Sequence, residues 1–304
     1  MKHIFLTGII ALASLAAAAC DVCGCNAVGA STSLLPQLNS SVIGVRYSYR
    51  KFDSEHPSNF ENGGTKTKEN FHTVDISGRY VATSRFHLSA RIPFHYMTQT
   101  IEGQTSKVAG IGDISIMGQF LAINPEFCSG KTAKHQFRIG AGLKFPTGSI
   151  KTKFNNEMLP ITMQAGTGSL DILTSGIYTL RYKDWGLNAE LGYRINTTNS
   201  DRYKFGNRIS STVSALYWLK LSENVTLLPT IGASMDWADE NKQSGVWVRY
   251  TGGALVTGVV GADLMVKRVV LSARYNPIIW QQLSENYVKA RTMVDAGIYI
   301  SLGK

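Results

Sequence analysis

No uninterrupted apolar stretch reaches the roughly 18 residues that a helix needs to cross a bilayer, so a helical membrane protein is excluded. Charge is also scarce. Asp, Glu, Lys and Arg make up 17% of the 304 residues, against about 25% in ordinary soluble domains. From Ser41 onward no segment has the periodicity of an amphipathic helix. There is no Gly-x-Ser-x-Gly, no His-Glu-x-x-His and no phosphate loop, which removes the common hydrolase, metalloprotease and nucleotide-binding readings. Basic runs are missing too. The formal charge of +10 comes from arginines and lysines spread singly along the chain, a poor match to nucleic acid.

What remains is alternation. Ile43, Val45, Tyr47 and Tyr49 interleave with Gly44, Arg46, Ser48 and Arg50, and comparable bursts recur to the end of the chain. Successive side chains of a strand point to opposite faces, so each burst has one oily face and one polar face. The texture is uniform, which points to a single all-β domain: a closed antiparallel transmembrane β-barrel of about twelve strands over residues 41–304. A soluble β-sandwich is the competing reading of the same bursts.

Strands are expected near 41–52, 71–83, 86–98, 110–122, 135–146, 169–182, 185–197, 207–219, 224–237, 250–266, 268–279 and 290–303. Their connections alternate between long (53–70, 147–168, 198–206, 238–249) and short (Ser84-Arg85, Lys183-Asp184, Leu221-Ser222-Glu223, Lys267). Bacterial outer-membrane barrels show this asymmetry, with short periplasmic turns and longer external loops, and an even strand count returns both termini to the periplasm. A sandwich has no reason to keep its long loops at one end.

The oily parity includes Val74, Ile76, Leu88, Ile92, Phe94, Ile139, Leu143, Leu191, Ile231, Met235, Ile298, Ile300 and Leu302, and none of its members is charged. This face is expected to meet lipid. Tyr80, Tyr182, Trp185 and Trp218 at one rim, with Tyr96, Trp237 and Trp280 at the other, are candidate interface girdles. The opposite parity turns Arg46, Arg50, Asp75, Arg79, Arg91, Asp113, Arg138, Lys144, Glu190, Arg194, Arg274 and Asp295 inward as candidate pore-lining residues. A hydrated, basic-leaning lumen is the first expectation; a lumen filled by its own ion pairs is the alternative. Leu216, Trp218, Leu255, Val259 and Met265 share the inner parity, so part of the lumen is expected to be apolar.

The N-terminus fits an exported protein. Met1-Lys2-His3 is followed by apolar residues to Ala19, and Ala17-Ala18-Ala19 supplies a small-residue cleavage signature, so residues 1–19 read as a signal peptide. Residues 20–40 then form a periplasmic segment opening on Cys20-Asp21-Val22-Cys23-Gly24-Cys25. By the topology above, Cys128 lies in the periplasmic connection 123–134, so all four cysteines share one compartment. Disulfides are the leading reading in an exported chain. A site for copper or zinc on Cys20, Cys23, Cys25 and Cys128 stays open, as does lipidation of Cys20.

Three short stretches carry a family resemblance. Ala109-Gly110-Ile111-Gly112-Asp113-Ile114-Ser115 opens the fourth strand; Phe145-Pro146-Thr147-Gly148 and Gln164-Ala165-Gly166-Thr167-Gly168-Ser169-Leu170-Asp171 flank the loop after the fifth. This ordered series resembles the outer-membrane, transporter-like family grouped with the meta-pathway phenol-degradation protein, from about Gly110 to the C-terminus. The resemblance implies a barrel that admits small, often apolar, compounds, and it carries no catalytic residue. The loop 147–168 is long enough to fold into the mouth; a free external loop is the other reading.

A catalytic reading finds little support. Ser89 and His95 share the inward parity with Asp75 on the next strand, but six residues of strand separate serine and histidine by roughly 20 Å. The expected function is therefore a non-enzymatic, porin-like barrel in the bacterial outer membrane. Its partners are membrane lipids and a small-molecule solute, not nucleic acid, and its oligomeric state is left open. The alternative is a non-conducting barrel that presents its cysteine-rich segment to a metal or a protein partner.

Overall fold

The computed structural model describes residue 36 and residues 38–56, 65–123, 133–154 and 156–303. The signal-peptide assignment and all four cysteines lie outside the described residues.

Twelve staves form one antiparallel ring. In chain order they are β1 (Ser41–His56), β2 (Thr65–Val81), β3 (Phe86–Ile101), β4 (Gln104–Ile111 with Ser115–Ile123), β5 (Ala133–Lys144) and β6 (Asp171–Tyr182). Then come β7 (Trp185–Ile195), β8 (Arg208–Tyr217, continued by Leu219–Ser222), β9 (Val225–Ala238), β10 (Gly253–Val266), β11 (Val269–Tyr275 with Ile278–Leu283) and β12 (Val288–Gly303). The ring closes where β1 pairs with β12, from Ser41↔Gly303 to Ser54↔Val288. Hydrocarbon offers no partner to an open strand edge, so a sheet of this length in a membrane must close. The short connections 82–85, 183–184, 223–224 and 267–268 lie at one end, together with Ser41 and Gly303; the long connections 145–170, 196–207 and 239–252 lie at the other.

All twelve expected strands are present, and the differences lie mostly at the long-loop end. Residues 99–109, expected as a loop, are largely strand: Gln99 pairs with Ser106 and Ile101 with Gln104. Glu102 (φ 48°) and Gly103 (φ 84°) make the two-residue turn, whose left-handed backbone glycine adopts readily. This extension carries Thr98, Thr100, Thr105 and Lys107 where deeper residues are oily. It has left the hydrocarbon, so the alternation that marks a lipid-facing strand fades. Lys267 cannot close its hairpin alone: Val266 pairs with Val269, which leaves Lys267 and Arg268 as the turn.

The oily parity faces outward. Ile231 is 67% exposed and Leu191 56%, values that describe a wall built to meet acyl chains rather than water. Tyr47, Tyr49, His72 and Tyr96 form a ring cluster on this face toward the long-loop end, with neighbouring centroids 5.0–6.1 Å apart. At the short-turn end Tyr80, Tyr182 and Trp185 are exposed. Trp218, expected beside them, turns inward and is buried. The Arg181 guanidinium lies 4.0 Å from its ring centroid, and Trp218 packs with Val42, Leu216, Leu228, Val270 and Tyr299.

These residues form one of two apolar layers inside the ring. The other, toward the long loops, joins Phe52, Phe71, Met97, Val108, Leu255, Leu283, Val288 and Met293 to Leu159 and Met163 of the connection between β5 and β6. Replacing Ile231 with arginine places a charge on the lipid face. This is expected to cost about 2–4 kcal/mol if the position is near the bilayer midplane, read as a lower denaturant midpoint in lipid vesicles.

Candidate functional site

Between the two apolar layers the lumen is polar, and its charges answer one another across neighbouring strands. The β1–β2 register sets Arg46 opposite Asp75. Asp75 Oδ2 accepts from Arg46 Nη2 at 2.6 Å and Asp75 Oδ1 from Arg91 Nε at 2.8 Å. Asp295 takes Arg50 Nη2 at 2.8 Å, the Ser48 hydroxyl at 2.7 Å and the Asn276 amide at 2.8 Å. Arg274 stands in register with Asp295 on the next stave. Such pairing follows from burial: Asp75 is 2% exposed, and an ionised carboxylate held away from water persists only with compensating charge or hydrogen bonds. This part of the lumen follows the ion-paired alternative rather than the open, hydrated one.

The residues that carry the family resemblance meet in space around Asp113. β4 breaks at Gly112–Ile114, where Gly112 donates to the Pro93 carbonyl and Phe145 donates to the Ile114 carbonyl. In that break Asp113 Oδ1 accepts the Gly148 amide at 3.0 Å, while Oδ2 accepts the Thr167 amide at 2.9 Å and its hydroxyl at 2.6 Å. One carboxylate thus holds both stems of the 145–170 connection. Lys144 lies between Asp113 Oδ2, at 2.9 Å, and Asp171 Oδ2, at 2.5 Å, and also donates to Thr167 Oγ1. Thr147 adds a reciprocal link, donating to the Gly112 carbonyl and accepting from the Ile114 amide, both at 2.9 Å.

The stems approach so closely that a Cβ on Gly148 would lie 2.6 Å from Gly166 Cα, and one on Gly166 would lie 2.4 Å from the Gly148 oxygen. Only glycine fits at both positions. Further in, the Gln164 amide donates to the carbonyls of Thr152 (3.1 Å) and Leu159 (3.0 Å) and accepts from the Thr152 amide (2.9 Å). The loop is folded into the mouth and bound there, and Met163 at its inner turn is fully buried.

Beneath the loop lies a cavity of about 110 Å³. Its apolar lining includes Phe71, Pro93, Met97, Ile161, Leu173 and Phe205; its polar lining includes Thr73, Arg91, His95, Asp113, Lys144, Gln164, Arg194 and Arg208. Of the twelve candidate lining residues, this cavity gathers Arg91, Asp113, Lys144 and Arg194. Arg46, Arg50, Asp75, Arg274 and Asp295 belong to the ion-pair belt, and Arg79, Arg138 and Glu190 lie toward the short turns. Asp171, Thr167, Arg208 and Phe205 also enter the site, of which only Thr167 and Phe205 were unexpected. Asp171 and Arg208 carried a signal, their inward parity. Phe205 and Thr167 lie in connections, where parity says nothing. Ser89 donates to the Met117 carbonyl (3.3 Å), and His95 Nδ1 hydrogen-bonds the Thr73 hydroxyl (3.0 Å), so serine and histidine serve separate partners.

Two variants test the two networks. Asp75→Ala leaves Arg46 and Arg91 without their shared acid and is expected to destabilise the barrel by about 3–5 kcal/mol, the range for breaking a buried pair, in a denaturant titration. Asp113→Ala removes the stem bonds and is expected to loosen the loop by about 1–3 kcal/mol, seen as faster tryptic cleavage at Lys151 and Lys153.

The sequence matches, over residues 50–226, the model of a family described as "Putative MetA-pathway of phenol degradation". Among solved structures, the barrel is similar to an outer membrane channel from Pseudomonas putida F1, with a TM-score of 0.60 at 13% identity, covering 86% of this chain and 96% of that one. Weaker similarity extends to the beta domain of the Bordetella autotransporter BrkA (TM-score 0.48, 10% identity, 86% and 100% covered). LpxR from Salmonella typhimurium is comparable (TM-score 0.47, 10% identity, 86% and 100% covered). At such identities the likeness speaks to the fold. No curated protein matches the sequence.

Proposed function

The chain belongs to this phenol-degradation family, and on that premise we propose that it is an outer-membrane channel giving small solutes passive passage through the barrel. In this reading the short-turn end faces the periplasm and the long loops face outside, as in other bacterial barrels. The observation that carries it is the cavity beneath the bound loop. The lining sets Phe71, Met97, Leu173 and Phe205 against Arg91, His95, Lys144 and Arg194. A pocket of mixed character accommodates a small molecule with an apolar body and a polar group. The fold resemblance to an outer membrane channel supports the same reading.

Passage has to negotiate the layer formed by Leu159 and Met163 with the wall. Planar-bilayer recording and vesicle-swelling assays on the mature protein test the proposal. Met163→Ala, which shortens a fully buried side chain in that layer, is expected to raise conductance and solute flux above wild type. If neither wild type nor this variant passes ions or small solutes, the channel reading falls.

The apolar layers near both ends of the lumen favour a second reading: a non-conducting barrel whose cysteine-rich segment binds copper, zinc or a protein partner. Purified protein would then retain stoichiometric metal and lose it in the Cys23→Ser/Cys25→Ser variant.

A further inference from the structure

Toward the short-turn end the interior is occupied by the chain's own approach to β1. Pro36 and residues 38–40 lie inside the ring. Arg79 of β2 donates through Nη2 to the Leu38 carbonyl at 2.7 Å and to the Ser40 carbonyl at 3.1 Å. Arg138 of β5 donates through Nη2 to the same Leu38 oxygen at 3.2 Å. The Gln136 amide, with its oxygen toward Arg138 Nη2 at 2.8 Å, gives its NH2 to the Pro36 carbonyl at 2.9 Å. The Leu38 side chain packs against the Trp218–Tyr299 apolar layer. This strap therefore lies across the mouth at that end.

The chemistry of the fastening is unusual. Two guanidinium groups converge on one neutral carbonyl oxygen, which carries only a partial negative charge. Guanidinium bonds to a carboxylate or phosphate are shorter and roughly twice as strong as bonds to a neutral acceptor, and they take a bidentate form that one carbonyl oxygen cannot provide. Glu190 of β7 also attracts Arg138, so an incoming anion competes with one fixed acid for that guanidinium. A small anion carrying two oxygens offers both arginines a charged acceptor, which the strap carbonyls are not.

We propose that Arg79 and Arg138 form an anion-binding site of the carboxylate or phosphate class, occupied in this structure by the carbonyls of Leu38 and Ser40, and that an anion binding there releases the strap from the short-turn mouth. The site lies at the opposite end of the lumen from the loop cavity. The inference adds a ligand-controlled step to the channel reading, but its first test does not require conduction.

That test places a reporter on the strap. In the mature full-length protein carrying Asn39→Cys, the rate of alkylation at position 39 by a bulky maleimide is read by peptide mapping, which separates it from the native cysteines. Sodium acetate is titrated against sodium chloride at constant ionic strength, with acetamide as the uncharged control. Acetate is expected to accelerate labelling saturably, by about tenfold, and acetamide to leave it unchanged. Adding Arg79→Gln and Arg138→Gln is expected to give fast labelling without acetate and no further response to it. Labelling that ignores acetate while the arginines are intact overturns the anion site, a result readable even if the glutamine variant does not fold. A folded glutamine variant that labels as slowly as its parent overturns the strap. In bilayer recordings acetate raises open probability if the channel reading also holds; an acetate response in labelling with no conductance at all sinks that reading alone.

Discussion

Everything in this molecule follows from the refusal of hydrocarbon to hydrogen-bond. A strand edge left open in lipid strands its amides and carbonyls, so the sheet has to close, and it does so through the long pairing of β1 with β12. Closure then divides every side chain between two solvents by parity alone. The outward half has to be uncharged where it meets hydrocarbon; its charges, such as the exposed Arg291–Asp53 pair, sit on the strand extensions toward the long loops. The inward half receives whatever the sequence supplies, including most of its arginines and aspartates. Those charges cannot lean on bulk water, so they lean on one another, and the belt of Arg46, Asp75, Arg91, Arg50 and Asp295 is the result.

Between belt and mouth the same economy serves a different end. Asp113 sits where β4 breaks, so its carboxylate is not confined to one strand's register and can reach both stems of the neighbouring connection. Lys144 and Asp171 close the charge balance. The short, ordered Gly and Thr motifs that carry the family resemblance thus form one joint, in which glycines permit contact, threonines bridge backbones and the acid holds both sides. The arrangement ties a loop to a wall.

The fold was legible because parity is local. Ile43, Val45 and Tyr47 already announce an oily face, and a shift of one residue would have put Arg46 into lipid. Strand ends were less legible for the same reason. Beyond the bilayer the outward face of the β3–β4 hairpin becomes polar, so residues 99–109 read as loop while largely pairing as strand. Trp218 misled because an aromatic near a strand end fits an interface girdle and an inner core equally well; its inward parity was the better guide. Within the site, Arg91, Asp113, Lys144 and Arg194 were legible from parity, whereas Phe205, Thr167 and Leu159 come from connections whose path no periodicity records. The fastening of Leu38 and Ser40 by Arg79 and Arg138 was equally hidden, since it joins positions 39 to 100 residues apart.

The joint at Asp113 also separates what can vary from what cannot. Its glycines, threonines and acid fix where the connection leaves and re-enters the wall, while the tip between them, residues 149–163, touches the lumen without building the ring. The tip is therefore a cassette whose exchange leaves the β5–β6 pairing beneath it intact. A chimera built by grafting should respect the same seams, cutting inside Gly148 and Gln164 rather than at the strand ends.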